Sequence, residues 1–410
     1  MNILYIDHYA GSLSMGMEFR PYYLAREWKK SGHHIRIVTA SFAHLRKHNP
    51  ENQRNMSVSE EDGIEYQWIK TRSYSGNGLG RMISMPQFCW KLYQNAKKIA
   101  KEFQPDLVIA SSTYPMDTYA AKRISKKCGG KYIHEVHDMW PITPMELYGL
   151  SPRHPFVIIV QHAEDYFCRN ADKVVSILPC AKDYLTEHGM NPDKFIYVPN
   201  GIDLNDWNDP EELPAEHRNV INKAHSEGRF VIGFFGSHTR SYSIDYLINA
   251  LQLMDQSKVF AVFVGEGNFK DELITLAEEL GISKDAYRFL PAINKKAIPS
   301  LLRSIDASYV GAFKNNMFRF GIGMNKLFDA MMGSKPILYA VDAPNNYVKE
   351  YNCGISVPAE NVNELKNGLE SLMQMDEAER IALGQNGRNA ILESFTYPKL
   401  AEKFLNGVLN

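Results

Sequence analysis

The feature that most constrains this chain is an alternation that starts, stops and starts again. Short apolar runs at Asn2–Ile6, Ile35–Thr39, Leu107–Ala110, Tyr132–Val136 and Val174–Leu178 are rich in Val, Ile and Tyr and too short for ordinary helices. Between them lie longer segments with helical spacing of apolar residues, at Met17–Ser31, Ser84–Phe103, Asp117–Lys127, Pro155–Asn170 and Ala181–His188. Strand and helix in steady succession predict a parallel sheet with helices on both faces. Strands buried on both faces should be almost continuously apolar, and these mostly are.

The pattern restarts at Phe230–Phe235 and continues through Phe260–Val264, Tyr287–Leu290, Ala307–Val310 and Pro336–Tyr339. Helical segments intervene at Ile244–Met254, Lys270–Leu280, Lys296–Arg303, Met324–Met332, Val362–Met373 and Asp376–Ser394. The interruption, Val198–Val220, is dense in Asn, Asp, Pro and Gly, as a linker is. A chain of 410 residues is long enough for two cores. The prediction is an α/β fold of two doubly wound Rossmann-like domains facing across a cleft, residues 1–200 and 201–392. Two stretches resist this scheme. His44–Gly63 is polar and reads as a mobile loop. Tyr74–Arg81 is Gly-rich and precedes a helix with Met82, Met85, Phe88 and Trp90. Each reads either as a solvated excursion or as an edge that touches an acceptor or a membrane.

Charge and cysteine usage exclude several classes. A net charge of −1 with no basic helix gives no pull toward nucleic acid. Five scattered cysteines without a CxxC pair argue against structural zinc and suit a reducing compartment. The start, MNILYIDHYAG, reads as a strand and not as a signal peptide. The chain has no apolar run of the ~18 residues that a membrane span needs. A cytoplasmic protein is expected.

In a doubly wound sheet, ligands bind beyond the carboxyl ends of the strands. After the first strand come Asp7, His8, Gly11 and Gly16, whose spacing is not GxGxxG, so a dinucleotide oxidoreductase is disfavoured. That turn either offers main-chain N–H groups to an anion or sugar or is only a tight turn. After Tyr132–Val136 come His137 and Asp138. His134 and His137, three apart on a strand, point to opposite faces and cannot readily share a metal. His137 reads either as a cleft-facing residue or as a loop histidine bonded to Asp138. After Phe230–Phe235, Gly236, Ser237 and Arg240 precede a helix, an arrangement that suits a phosphate if Arg240 is not merely a surface residue.

The most informative segment is RFGIGMNKLFDAMMGSKPIL, residues 319–338. A glycine-bearing loop enters a helix on which Asn325 and Asp329 share one face. With Lys326, the segment combines a helix N-terminus, a cation and a carboxylate. That combination suits a nucleoside diphosphate, with charge for the phosphates and a carboxylate for the ribose hydroxyls. Taken alone, Asp329 reads equally well as an ordinary polar helix residue.

Five pieces in order now resemble a known family: YVPNGID (197–203), FFGSH (234–238), FVGEGNFKDEL (263–273), RFLPAINKKAIPSLLRSIDASYV (288–310) and NKLFDAMMGSKPIL (325–338). They are similar to the retaining glycosyltransferases of the GT-B fold, family 4, the bacterial group that builds capsule, O-antigen and exopolysaccharide. The resemblance covers nearly the whole chain. It implies transfer of a hexose or N-acetylhexosamine from a nucleoside-diphosphate sugar to a saccharide or lipid-linked acceptor, with retention. The NKLF form implies a UDP-linked donor. No DxD motif occurs, so no metal and no cofactor beyond the donor substrate are implied.

The resemblance also assigns residues. Asp329 would bind the ribose, and Arg240 the diphosphate within the Gly236–Ser237 loop. Lys326 would supply the second cation that the family usually places a few residues after the arginine. Main-chain groups around Leu290 would hold the base, His137 would contact the donor sugar, and Gly11, Gly16 and Asp138 would line the acceptor side. His137, Arg240 and Lys326 would be the catalytic set. The family's glutamate eight residues before the ribose carboxylate is Gly321 here; amides of Ile322 and Gly323, with Asn325, would replace it. Residues 393–410 would cross back onto the first domain. A lipid-linked acceptor implies a peripheral contact with the cytoplasmic face of the inner membrane, with which the aromatic and basic Arg81–Lys101 stretch is compatible. Two rivals stand beside this reading: a nucleotide-sugar epimerase on the same fold, and a non-catalytic donor-binding scaffold motivated by Gly321.

Overall fold

The computed structural model describes residues 1–16, 18–44, 46–51, 53–76 and 78–410. Met17, where the first predicted helix begins, and Leu45, Asn52 and Asn77, within the two polar stretches, lie outside the described residues. The chain forms two compact units. One comprises Met1–Pro199 with Arg319–Gly323 and Tyr397–Asn410; the other comprises Asn200–Phe318 with Met324–Thr396.

The first unit is built on β1 (Asn2–Ile6), β2 (His34–Ala40), β3 (Ser57–Glu61), β4 (Ile64–Ile69), β5 (Leu107–Ala110), β6 (Lys131–Val136), β7 (Lys173–Ser176) and β8 (Phe195–Tyr197). Their order is β3-β4-β2-β1-β5-β6-β7-β8. Neighbours are parallel except β3 and β4. This antiparallel pair corrects the expectation of a loop over His44–Gly63. Its two-residue turn, Asp62-Gly63, has φ of 51° and 70°, the left-handed pair that a tight hairpin requires. β3 carries Ser, Glu and an exposed Val58 because it is an edge strand, so it lacks the apolar alternation that marks a strand.

The second unit holds β9 (Phe230–Phe235), β10 (Val259–Val264), β11 (Tyr287–Leu290), β12 (Ala307–Gly311), β13 (Ile337–Ala340) and β14 (Gly354–Val357). The order is β11-β10-β9-β12-β13-β14, all parallel. Every residue of β10, VFAVFV, is buried, as a central strand covered on both faces requires. The predicted linker Val198–Val220 contains the helix Asn205–Asn208 and the first half of the helix Ala215–Ser226, and the units divide near its start, between Pro199 and Asn200. Both sheets reverse direction once, at β1/β5 and at β9/β12. Such switch points open a crevice at the strands' carboxyl ends.

Two segments from the far end of the chain belong to the first unit. The helix Tyr397–Leu409 packs Leu400, Phe404, Leu405 and Val408 into the core that holds Tyr5 and Trp28. The Trp28 indole N–H donates to the Ala401 carbonyl at 3.0 Å, and the Trp28 and Phe404 rings meet at 5.1 Å. Arg319–Gly323 also groups here, correcting the assignment of Gly321, Ile322 and Gly323 to an uninterrupted second domain. The Cys180 amide donates to the Phe320 carbonyl at 3.0 Å, Arg319 pairs with Glu146 at 2.9 Å, and the Phe320 ring meets Tyr184 edge-on.

Candidate functional site

In the second unit the residues of interest follow β9 and open the helix Asn325–Met332. Lys326 Nζ stands 3.2 Å from the centroid of the Tyr242 ring and 4.1 Å from that of Phe234. A Cβ built on Gly236 would lie 3.1 Å from the same nitrogen. Nζ is buried and, among the described residues, has no hydrogen-bond acceptor. Burial pushes the ammonium well below the ordinary lysine range. The ring faces offset part of that penalty, but a desolvated cation without an anion remains unfavourable. It stands beside the start of the helix, whose dipole also favours an anion. This local chemistry suits an anion.

Arg240 lies in the Arg240–Tyr242 turn, is exposed, and is held by Glu272 at 2.6 Å across the Phe269 ring. The Gly236 and His238 amides donate to the Val264 and Glu266 carbonyls at 3.0 and 2.8 Å. A Cβ on Gly267 would fall 2.1 Å from the His238 carbonyl, so the Gly-Glu-Gly turn is glycine because it packs directly on the loop after β9. His238 was not singled out from the sequence. Both its ring nitrogens are buried without a partner, and burial, with Lys270 and Lys326 nearby, pushes it down to about 4. Ser237 is exposed at the turn.

Asp329 is buried on the helix, whereas Asn325, one turn earlier, is exposed. Burial raises the Asp329 carboxyl to about 6, Lys295 opposing and Asp206 adding to the rise. Lys295 is itself paired with Asp206 at 2.8 Å. The carbonyls expected to hold a base are engaged within the protein: Leu290 O accepts from the Gly265 amide at 3.0 Å, and Pro291 O from His217 Nε2 at 2.9 Å.

In the first unit, Asp7, Ser111 and His137 follow the adjacent strands β1, β5 and β6. His137 Nε2 lies 2.7 Å from Ser111 Oγ and 3.3 Å from Glu135 Oε2; its bond is not to Asp138, whose Oδ1 accepts from Thr143. Glu135 is fully buried. It accepts from Arg20 at 2.8 and 3.0 Å, from Ser111 at 2.7 Å and from the Tyr5 hydroxyl. Burial pushes Asp7 up to about 7, with His137 opposing the rise. The Gly11 and Gly16 amides donate to the Glu18 and Ser12 carbonyls, which corrects the idea that they are offered to an anion. His134 stacks on Phe167 at 3.8 Å, separate from the His137 contacts, and burial pushes it down to about 3. Among the described residues one cluster of metal-ligand type occurs, Glu164, Asp165 and His188; Gln161 and Tyr184 supply its hydrogen bonds.

Gly321 has φ of +96°, a conformation that side-chain-bearing residues rarely adopt.

The Glycosyltransferase Family 4 model matches residues 15–206 and the Glycosyl transferases group 1 model matches residues 216–390. The chain belongs to glycosyltransferase family 4. This family 4 glycosyltransferase is 22% identical over 336 residues to the probable glycosyltransferase WbjE of Pseudomonas aeruginosa, covering 80% of this chain and 78% of that one. Its fold is that of Anabaena HepE, solved with UDP (17% identical, TM-score 0.69, all of both chains covered). It is also that of WaaG, a glycosyltransferase involved in lipopolysaccharide biosynthesis (17% identical, TM-score 0.66, 99% of both chains covered). Two GT-B Rossmann-like domains are thus established for this transferase.

Within each half of the family 4 enzyme the structure gathers some predicted residues and adds others. Lys326 and Gly236 meet; Arg240 is turned to Glu272. Tyr242, His238, Glu135, Ser111 and Arg20 were missed by sequence reasoning. A signal existed for Glu135: a carboxylate within a central, buried stretch of strand needs a buried partner.

Proposed function

We propose that this glycosyltransferase moves a hexose or N-acetylhexosamine from a UDP-linked donor to a saccharide or lipid-linked acceptor, with retention, in cell-surface polysaccharide synthesis. The observation that carries the donor class is the buried Lys326 amine, without a hydrogen-bond partner, between two aromatic rings and Gly236. A diphosphate would supply the missing anion. Departure of that diphosphate develops negative charge, which Lys326, the helix start at Asn325 and Arg240 released from Glu272 would stabilise. Charge neutralisation by side chains and amides leaves no role that requires a metal. Asp329 would accept from the ribose hydroxyls and His137 would contact the sugar. HepE has been solved with UDP, with UDP and glucose and with UDP-glucose, which supports uridine as the base. WaaG's involvement in lipopolysaccharide biosynthesis supports a polysaccharide product.

For a lipid-linked acceptor, the support is a set of exposed apolar side chains in the first unit: Ile83 and Trp90 on the helix Leu79–Phe103, and Ile158 and Ile159 on the helix Pro155–Asn170. Among the described residues no helix is long and apolar enough to cross a membrane, so any such contact would be peripheral.

The deciding experiment is a thermal-shift panel with UDP, GDP, ADP and dTDP and their sugars, followed by donor hydrolysis with and without EDTA. Selective stabilisation by UDP and EDTA-insensitive release of sugar are expected. Stabilisation without turnover would replace this reading with a donor-binding subunit.

A further inference from the structure

His137 is tied inward through a single nitrogen. Among the described residues its hydrogen bonds all involve Nε2, to Ser111 Oγ at 2.7 Å and Glu135 Oε2 at 3.3 Å. The Ser111 hydroxyl also lies 2.7 Å from Glu135 Oε2 and 3.1 Å from the Tyr5 hydroxyl, and its one proton can go to either. Glu135, ion-paired with Arg20, offers His137 a carboxylate oxygen that can only accept, so the Nε2 facing it carries hydrogen. Glu135 cannot turn away, because Arg20 grips its other oxygen at 2.8 and 3.0 Å. Arg20 is anchored in turn on the Val198 and Pro199 carbonyls at 3.0 and 2.6 Å.

We propose that Glu135, through Ser111, is a positioning residue that holds His137 as an imidazolium with Nε2–H inward, so that the ring offers Nδ1–H, a charged donor, to substrate. His137 then serves as a donor to an oxygen of the substrate and not as the base that takes the acceptor's proton. Which substrate oxygen it meets rests on the transferase reading; its ionisation and orientation do not.

The charges around the ring support the cationic form. Burial and Arg20 oppose it; Glu135 and Asp7 favour it, and the outcome lies above the ordinary histidine value. Asp117 and Asp138, on neighbouring segments, add negative charge near the ring when ionised, and His134 opposes it when protonated. Glu135 is held well below the usual carboxylate range by Arg20 and His137 despite its burial. Two buried partners that shift in opposite directions describe an ion pair.

The test is a pH titration of the full chain labelled with 15N-histidine, the His137 signals being identified by their loss in His137→Gln. The expected result is an imidazolium pattern that persists above the midpoint of an exposed histidine in the parent chain. In Glu135→Gln the midpoint falls by about one pH unit or more. Ser111→Ala, a smaller change made in case Glu135→Gln does not fold, moves it in the same direction. A parent His137 that titrates at or below the value of an exposed histidine overturns the proposal. So does a midpoint that stays put in Ser111→Ala and in folded Glu135→Gln. The titration reads no activity, so a chain that turns over no UDP-sugar sinks the transferase reading and leaves this result standing.

Discussion

The Lys326 amine nitrogen lies 3.2 Å from the centre of the Tyr242 ring and, among the described residues, meets no hydrogen-bond acceptor. Burial disfavours its charged form, a cost that a bound anion would offset.

Lys326→Met should therefore raise the stability of the ligand-free protein, by about 1–3 kcal/mol, because a side chain of similar length fills the space without a buried amine. The same change should abolish stabilisation by UDP. Arg240→Ala, at an exposed ion pair, should change stability by less than ~1 kcal/mol while lowering turnover sharply. Thermal melts with and without UDP check both. A Met variant that still responds to UDP would remove Lys326 from the phosphate site.

Asp329 gives a pH dependence with a definite sign. Burial raises its folded value to about 6, so its ionised form is disfavoured in the folded state. The contribution of this group to stability should fall as pH rises from ~4 to about 6 and then level off. Affinity for UDP should move the other way and increase through the same window, because only the carboxylate accepts from both ribose hydroxyls. Asp329→Asn should flatten both dependences and weaken UDP about tenfold, a loss of ~1.5 kcal/mol for a charge-assisted bond. Calorimetry with UDP at pH 5 to 8 reads the result.

At Gly321 the backbone, with φ of +96°, decides what a side chain can do. Gly321→Ala and Gly321→Glu should each cost about 1–2 kcal/mol in urea unfolding, from the conformation and not from lost contacts. Gly321→Glu should not increase activity, because the positive φ strains any side chain placed there. A more active Glu variant would show that the loop adapts.

Removing Tyr397–Asn410 strips Leu400, Phe404, Leu405 and Val408 from the first unit's core and leaves the Trp28 indole without its acceptor. The truncated chain should aggregate or lose cooperative unfolding. Soluble, cooperatively folded material would mean that this helix is an accessory and not part of the core.

Much of this molecule was legible in order along the chain. β9 falls where its apolar run does, because a strand buried on both faces must be apolar throughout. The segment around Asn325, Lys326 and Asp329 could be read as nucleotide-binding because a cation, a carboxylate and a helix start are consecutive in sequence. β3 escaped notice for the opposite reason: an edge strand faces water, so its residues need not announce it.

What the sequence determined by itself was therefore the local pattern: two strand–helix series, the break between them, and the motifs that place the chain in its family. Tertiary structure decided which groups are desolvated and by what. Tyr242 under Lys326 and Glu135 beside His137 are ordinary residues in a one-dimensional reading. Removal of water is what turns the first into the support of a strained cation and the second into half of an ion pair. Burial belongs to the packed chain, and it sets the strength of every charge within.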